Sequence, residues 1–302
     1  MRSAIFVTWS STLLFCSTAR AQEKPWELSL GLGAYNTNYA ETYTIPNDGN
    51  PGALNGNSFT VLALRPSITY RGRQQLSLPF FVTIEAVLPI VTATGLEVGH
   101  DTVSSQSVFV TQKEDVRHVD VTGRAVLGYE ILPFLQPYMA YERSSYAARR
   151  TGEMDGNDAG NFSIGDNQDY TETVSSTQLG FGVQGVVPLN RNADIRLRYD
   201  FGYEVPQSVS VTNDYYGTGS FGEGASGYTI AGKVQLDMPL HIMDLFENHD
   251  GYWTIGLNIS KRHWNGDGAL GHGIQSGLPA TLTWPANTVV KAGGFVGVGL
   301  FF

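Results

Sequence analysis

Cysteine is almost absent: the 302 residues contain one, Cys16. A chain processed beyond that position cannot form a disulfide, so no disulfide framework holds this fold. Long apolar runs are missing as well. After the first 21 residues, no window approaches the ~18 consecutive apolar residues of a spanning helix. A basic surplus is lacking too. There are 19 Lys and Arg against 28 Asp and Glu, a formal net charge of −9, which argues against nucleic acid as a partner. No GxSxG, HExxH, CxxC or phosphate-binding glycine loop stands out, and no cofactor is expected.

What is present points to β structure. Thirty-five glycines and fifteen tyrosines suit strands and loops better than a helical bundle. The first residues read as a secretory signal peptide: Met1 and Arg2, apolar stretches at 4–7 and 13–15, then Ala19-Arg20-Ala21 as a small-x-small cleavage site. Cleavage is expected after Ala21, leaving 22–302 as one domain. Phe15 stands before Cys16 where a lipoprotein signal needs a small residue, so lipidation is not expected.

The remainder alternates. Successive strand side chains point to opposite faces. Trp26, Leu28, Leu30, Leu32 and Ala34 share one face, against Glu27, Ser29, Gly31 and Gly33. Ile195, Leu197, Tyr199, Phe201 and Tyr203 oppose Asp194, Arg196, Arg198, Asp200 and Glu204. The last segment puts Val290, Ala292, Gly294, Val296, Val298, Leu300 and Phe302 on one face. About ten such segments follow one another, each of a length to cross a bilayer as a tilted strand of ~9–11 residues. Lipid-facing and lumen-facing residues average out, so mean hydropathy stays low even though one face is apolar. The fold class expected is all-β: an antiparallel, transmembrane, up-and-down β-barrel.

Connections alternate in length. Those at 37–58, 92–116, 145–173, 206–226 and 265–288 are long, and those at 71–77, 131–134 and 190–193 are short. The connection at 240–251 is intermediate, and its helical spacing of Ile242, Met243 and Phe246 suggests a short helix. A barrel with its N-terminus in the periplasm then has every long loop outside the cell.

This pattern resembles Gram-negative outer-membrane β-barrel proteins as a class. The resemblance implies residence in the outer membrane among its lipid and lipopolysaccharide. It also implies delivery by the barrel-assembly machinery, which reads the terminal strand. Gly297, Leu300 and Phe302 fit that terminal signal, while Phe295 stands where a polar residue is usual. In strand count and size the chain is similar to the omptin proteases. That family works with an Asp-x-Asp pair and an Asp-x-His pair at the outer rim. Here no Asp-x-Asp occurs, and His118 and Asp120 run in the reverse order, so the activity is not carried over. The pair reads either as a base oriented by a carboxylate or as a rim ion pair near Arg117.

Two further groups remain. Arg65, Glu85, Arg124, Glu130, Glu142, Arg196, Arg198, Asp200, Glu204, Lys233, Asp237 and Lys291 all fall on the inward face. They read as an ion-pair network filling the lumen, or as a charge-lined solute path. Asp155 and Asn157, with Asp166 at the twelfth position, begin like a calcium loop. However, Ala159 stands at a ligand position and Asp replaces the final Glu, which fits an acidic loop equally, and no metal is expected. Tyr39, Tyr43, Tyr215, Tyr216, Phe221 and Trp284 among glycines and asparagines suit recognition of an extracellular partner or packing of the loops on themselves. Three functions follow: a non-enzymatic surface protein with a filled barrel, a small-solute channel, or a hydrolase at the rim.

Overall fold

The computed structural model describes residues 24–44, 51–91, 93–103, 108–156, 162–164, 170–190, 195–213, 217–221, 226–240, 250–265, 267–272, 279–284 and 286–302. The signal segment, the 241–249 turn, Asn157, Asp166, Tyr215 and Tyr216 lie outside them.

Fifteen strands occur among the described residues: β1 (Trp26–Thr44), β2 (Pro51–Arg71), β3 (Phe80–Pro89), β4 (Ala93–Val103), β5 (Val108–Tyr129), β6 (Gln136–Gly156), β7 (Phe162–Ile164), β8 (Tyr170–Pro188), β9 (Arg196–Asn213), β10 (Gly217–Phe221), β11 (Gly227–Pro239), β12 (Asp250–Trp264), β13 (Asp267–His272), β14 (Pro279–Trp284) and β15 (Ala286–Phe301). Ten of them form a closed antiparallel ring in the order β1, β2, β3, β5, β6, β8, β9, β11, β12, β15. The ring closes where β15 pairs with β1, from Glu27↔Phe301 to Thr42↔Ala286. Closure leaves no strand edge unpaired, the condition for a sheet to sit in hydrocarbon. Strand β4 pairs with the upper part of β5, β7 and β10 extend β6 and β9, and β13 with β14 makes a separate hairpin.

The outer wall is apolar where the short connections lie. Leu28, Leu30 and Leu32 on β1, Leu127 on β5, Met139 on β6, Phe181 on β8 and Ile255, Leu257 and Ile259 on β12 all project outward. From Trp26 to Ala34 this band covers about 26 Å along the strand. At a strand tilt of ~40° that is about 20 Å of height, near the apolar band of a transmembrane barrel. Aromatic side chains edge it below: Trp26 packs on Tyr70 with ring centroids 4.7 Å apart, and Tyr70 on Phe80 at 5.9 Å. Above, Phe181, Tyr203, Tyr228 and His263 form a row with centroids 5.6–6.3 Å apart. Past this row the outward face turns polar, as at Asn36, Asn38, Ser58, Thr60, Arg143 and Lys261.

The strands are longer than the sequence pattern suggests. Strand β2 runs for 21 residues, about 70 Å of chain, far beyond what a bilayer needs. Much of 37–58, 92–116, 145–173 and 206–226, expected as loop, is paired strand. Beyond the apolar band the outward face is polar, so the apolar-out alternation that marks a lipid-facing strand is lost there while the backbone ladder continues.

Candidate functional site

The lumen is crossed by polar side chains from opposite walls. Each sits inward because its neighbours one residue away must face outward to lipid. At mid-height, Glu85 of β3 meets Lys233 of β11 at 3.3 Å. These strands stand five places apart around the ring of ten, so the contact spans the full diameter. Arg124 of β5 gathers three carboxylates around one guanidinium. Its Nη1 donates to Glu85 at 2.9 Å and to Asp200 at 3.3 Å, and its Nε donates to Glu204 at 3.0 Å. Its Nη2 donates to the Tyr138 hydroxyl at 2.9 Å, which in turn donates to Asp200 at 2.5 Å. Gly182 makes room for that tyrosine: a Cβ there would lie 2.3 Å from its ring.

A second cluster closes the end that carries the short turns. Arg198 donates from Nη1 to Glu27 across the barrel at 2.5 Å and pairs with the fully buried Asp237. Tyr252 donates to the same Glu27 at 2.5 Å. The Arg196 guanidinium lies over the Phe301 ring at 5.0 Å, and Arg71 pairs with Glu130. Arg65 lies over the Phe295 ring at 4.5 Å, so the aromatic that departs from the terminal-signal pattern serves as an inward cation platform.

A third tier lies above. Lys291 of β15 pairs with Asp120 of β5, and Arg262 of β12 donates to Ser144 of β6 at 3.1 Å while lying over Trp264 at 4.7 Å. Both contacts join nearly opposite walls. Higher still, Tyr146 packs against Val174, Val209, Val211 and Trp264 on one side and Phe59 and Val61 on the other. Its ring stacks on Tyr39 at 6.1 Å. Tyr39, expected among the outer-loop aromatics, is therefore an inward residue of β1.

Among the described residues, cavities of about 100 and 160 Å³ lie between these tiers. Arg65, Glu85, Ala86, Asp200 and Lys233 line both, so the two adjoin.

All twelve charged residues placed on the inward face by sequence lie in the lumen, and eleven of them belong to the contacts just described; Glu142 is the twelfth and accepts from Gln178 at 3.4 Å. Adding Glu27, Arg71, Asp120 and Arg262, eight cations (Arg65, Arg71, Arg124, Arg196, Arg198, Lys233, Arg262, Lys291) face eight carboxylates (Glu27, Glu85, Asp120, Glu130, Glu142, Asp200, Glu204, Asp237). The sequence list omitted Glu27, Arg71, Asp120 and Arg262, although the parity of their strands puts each on the inward face.

Asp120 meets Lys291, and the side chain of Arg117 lies outside the described residues. Lys291 arrives from nearly across the ring. His118 pairs through its backbone with Ala93 and Ala148, and its side chain is outside the described residues, as is that of Asp155. Gly297, Leu300 and Phe302 stand at the seam, where Phe302 exchanges backbone hydrogen bonds with Trp26 at 3.0 and 3.1 Å. No group of three metal-ligating side chains is found among the described residues.

No protein-family model matches the chain, and no curated protein matches it. Among solved structures it is similar to the outer membrane protease OmpT from Escherichia coli. The TM-score is 0.59 at 11% identity, over 92% of this chain and 97% of that one. The fold is that of an outer-membrane β-barrel. The identity is too low to carry more than the fold. The translocator domain of the autotransporter NalP from Neisseria meningitidis aligns over 91% of this chain and 88% of its own, at 11% identity and a TM-score of only 0.32.

Proposed function

We propose that this protein is a non-enzymatic barrel of the outer membrane, closed to solutes, that holds its extended hairpins outside the cell for recognition, adhesion or envelope integrity. Its N-terminus and short turns would face the periplasm among phospholipid, and its long hairpins would rise beyond lipopolysaccharide. The terminal strand with Gly297, Leu300 and Phe302 would present it to the barrel-assembly machinery. The observation that carries this reading is the set of contacts between opposite walls. Glu85–Lys233, Glu27–Arg198 and Asp120–Lys291 tie the lumen at three heights, and cavities among the described residues hold only about 100 and 160 Å³. A solute path needs a continuous lumen, which larger barrels have and small, side-chain-filled ones do not. A further support is the paired length of β5 and β6 beyond the apolar band, which makes a stiff projection of a connection otherwise free to move.

The test is single-channel conductance of the refolded protein in a planar bilayer. The expected result is a heat-modifiable barrel that stays silent. A steady ion-selective current would overturn the closed-lumen reading and put the small-solute channel in its place.

A further inference from the structure

Above the third tier the wall inverts. In the apolar band the outward face is apolar and the inward face polar. Higher up the outward face carries Asn36, Asn38, Ser58 and Thr60. The inward face there carries Phe59 and Val61 on β2, Val174 on β8, Val209 and Val211 on β9 and Trp264 on β12, none more than 9% exposed. Tyr146 of β6 packs against both the β2 pair and the group from β8, β9 and β12, so five wall strands meet in one apolar septum across the lumen. Strand β9 changes register to build it. Arg198, Asp200 and Glu204 face inward on that strand, and unbroken parity would bring in Ser208, Ser210 and Thr212 above them. Instead, Gln178 pairs with Pro206 and Thr177 with Ser208, which leaves Gln207 as an extra residue on β9. That one-residue bulge exchanges the two faces, and Val209 and Val211 point inward. Val61 also lines the larger, upper cavity of about 160 Å³, so the septum roofs it.

We propose, on the basis of the closed-lumen reading above, that this septum is the seal of the lumen toward the long hairpins. It, rather than the ion-pair tiers, keeps small water-borne solutes from entering on that side. The tiers beneath are polar and adjoin cavities, so water finds hydrogen-bond partners there. The septum presents apolar surface instead, and a hydrophobic constriction excludes water and ions by dewetting. The bulge on β9 serves this end, because without it three hydroxyl side chains would line the same layer.

The reporter is a single thiol, Ala231→Cys, at an inward position of β11 on the wall of the upper cavity, in a chain lacking Cys16. The refolded barrel is treated with iodoacetamide, and the alkylation rate is read by mass spectrometry. With the septum intact the rate is expected to be at least ten-fold below that of Asn38→Cys, an exposed control on β1. Tyr146→Ser is expected to raise the rate at Ala231→Cys at least ten-fold. Val209→Thr with Val211→Thr, β-branched like valine but hydroxylated, is expected to raise it at least three-fold. Lys291→Met, which breaks the tier beneath, is expected to leave it within two-fold. Retained heat-modifiability verifies each fold, and the paired valine change carries the test if Tyr146→Ser does not fold. Fast alkylation of Ala231→Cys with Tyr146 in place, a rate that the septum variants do not move, or an equal rise in Lys291→Met would each overturn the seal. Conductance of the same preparations separates the two claims. A silent barrel with any of those labelling results loses only the seal, whereas a steady current through the unsubstituted barrel overturns the closed-lumen reading and the seal with it.

Discussion

Replacing Arg124 with alanine is expected to destabilise the barrel by about 3–5 kcal/mol, the usual cost of removing one partner from a buried ionic cluster. Arg124 is 11% exposed and is the shared partner of Glu85, Asp200 and Glu204. After its removal, Glu85 retains Lys233 and Asp200 retains Tyr138, but Glu204 loses its one hydrogen-bond donor among the described residues. The loss falls on carboxylates that cannot reach water by moving outward, because the wall faces hydrocarbon. Denaturant unfolding in lipid vesicles measures it. A second change gives the argument a sharper form: Arg124→Met with Glu204→Gln is expected to be less destabilised than Arg124→Met alone, because one stranded charge is then gone. A cost below about 1 kcal/mol for Arg124→Ala would mean that water or mobile ions already screen the cluster and that the lumen is wetter than its contacts imply.

Leu257→Arg is expected to cost about 2–4 kcal/mol, the penalty for a cation at the middle of a barrel's lipid-facing wall. Leu257 is 70% exposed on β12 between Ile255 and Ile259 and pairs with Val234 on one side and Gly294 on the other. On a water-soluble protein the same substitution would be harmless or helpful, because an exposed leucine gains nothing from water. The two environments therefore predict opposite signs. Asn38→Arg on β1, two outward positions above Ala34, serves as control, with an expected cost of about 0–1 kcal/mol. Equal, small effects at both positions would remove the basis for placing this wall in lipid.

The barrel itself was legible from alternation. Trp26 to Ala34, Ile195 to Tyr203 and the terminal strand each show one apolar face, and each is a wall strand. Alternation persists in sequence wherever one side meets lipid and the other a polar lumen. It fades at 37–44, 51–58 and 108–116, where the sequence pattern suggests loop although the backbone is paired strand. Parity assigns the charges to one face of each strand, but it cannot choose their partners. Asp120 illustrates this: its partner Lys291 lies 171 residues away and comes from nearly across the ring. The same limit applies to Arg124, whose carboxylates come from β3 and β9. The two carboxylates of the upper cavity were each visible on their own strands. What could not be read was that Glu142 and Glu204 share one space and that Arg124 is divided among three claimants.

The most direct test of the account is a cysteine scan of 253–260 on β12, in a variant lacking Cys16, with each site labelled by a nitroxide. Accessibility to lipid-soluble oxygen is compared with accessibility to a water-soluble nickel complex. The account predicts strict alternation: positions 253, 255, 257 and 259 open to oxygen, and 254, 256, 258 and 260 shielded from it. A flat profile, or one in which all eight positions admit the nickel complex, would contradict a closed barrel spanning the membrane.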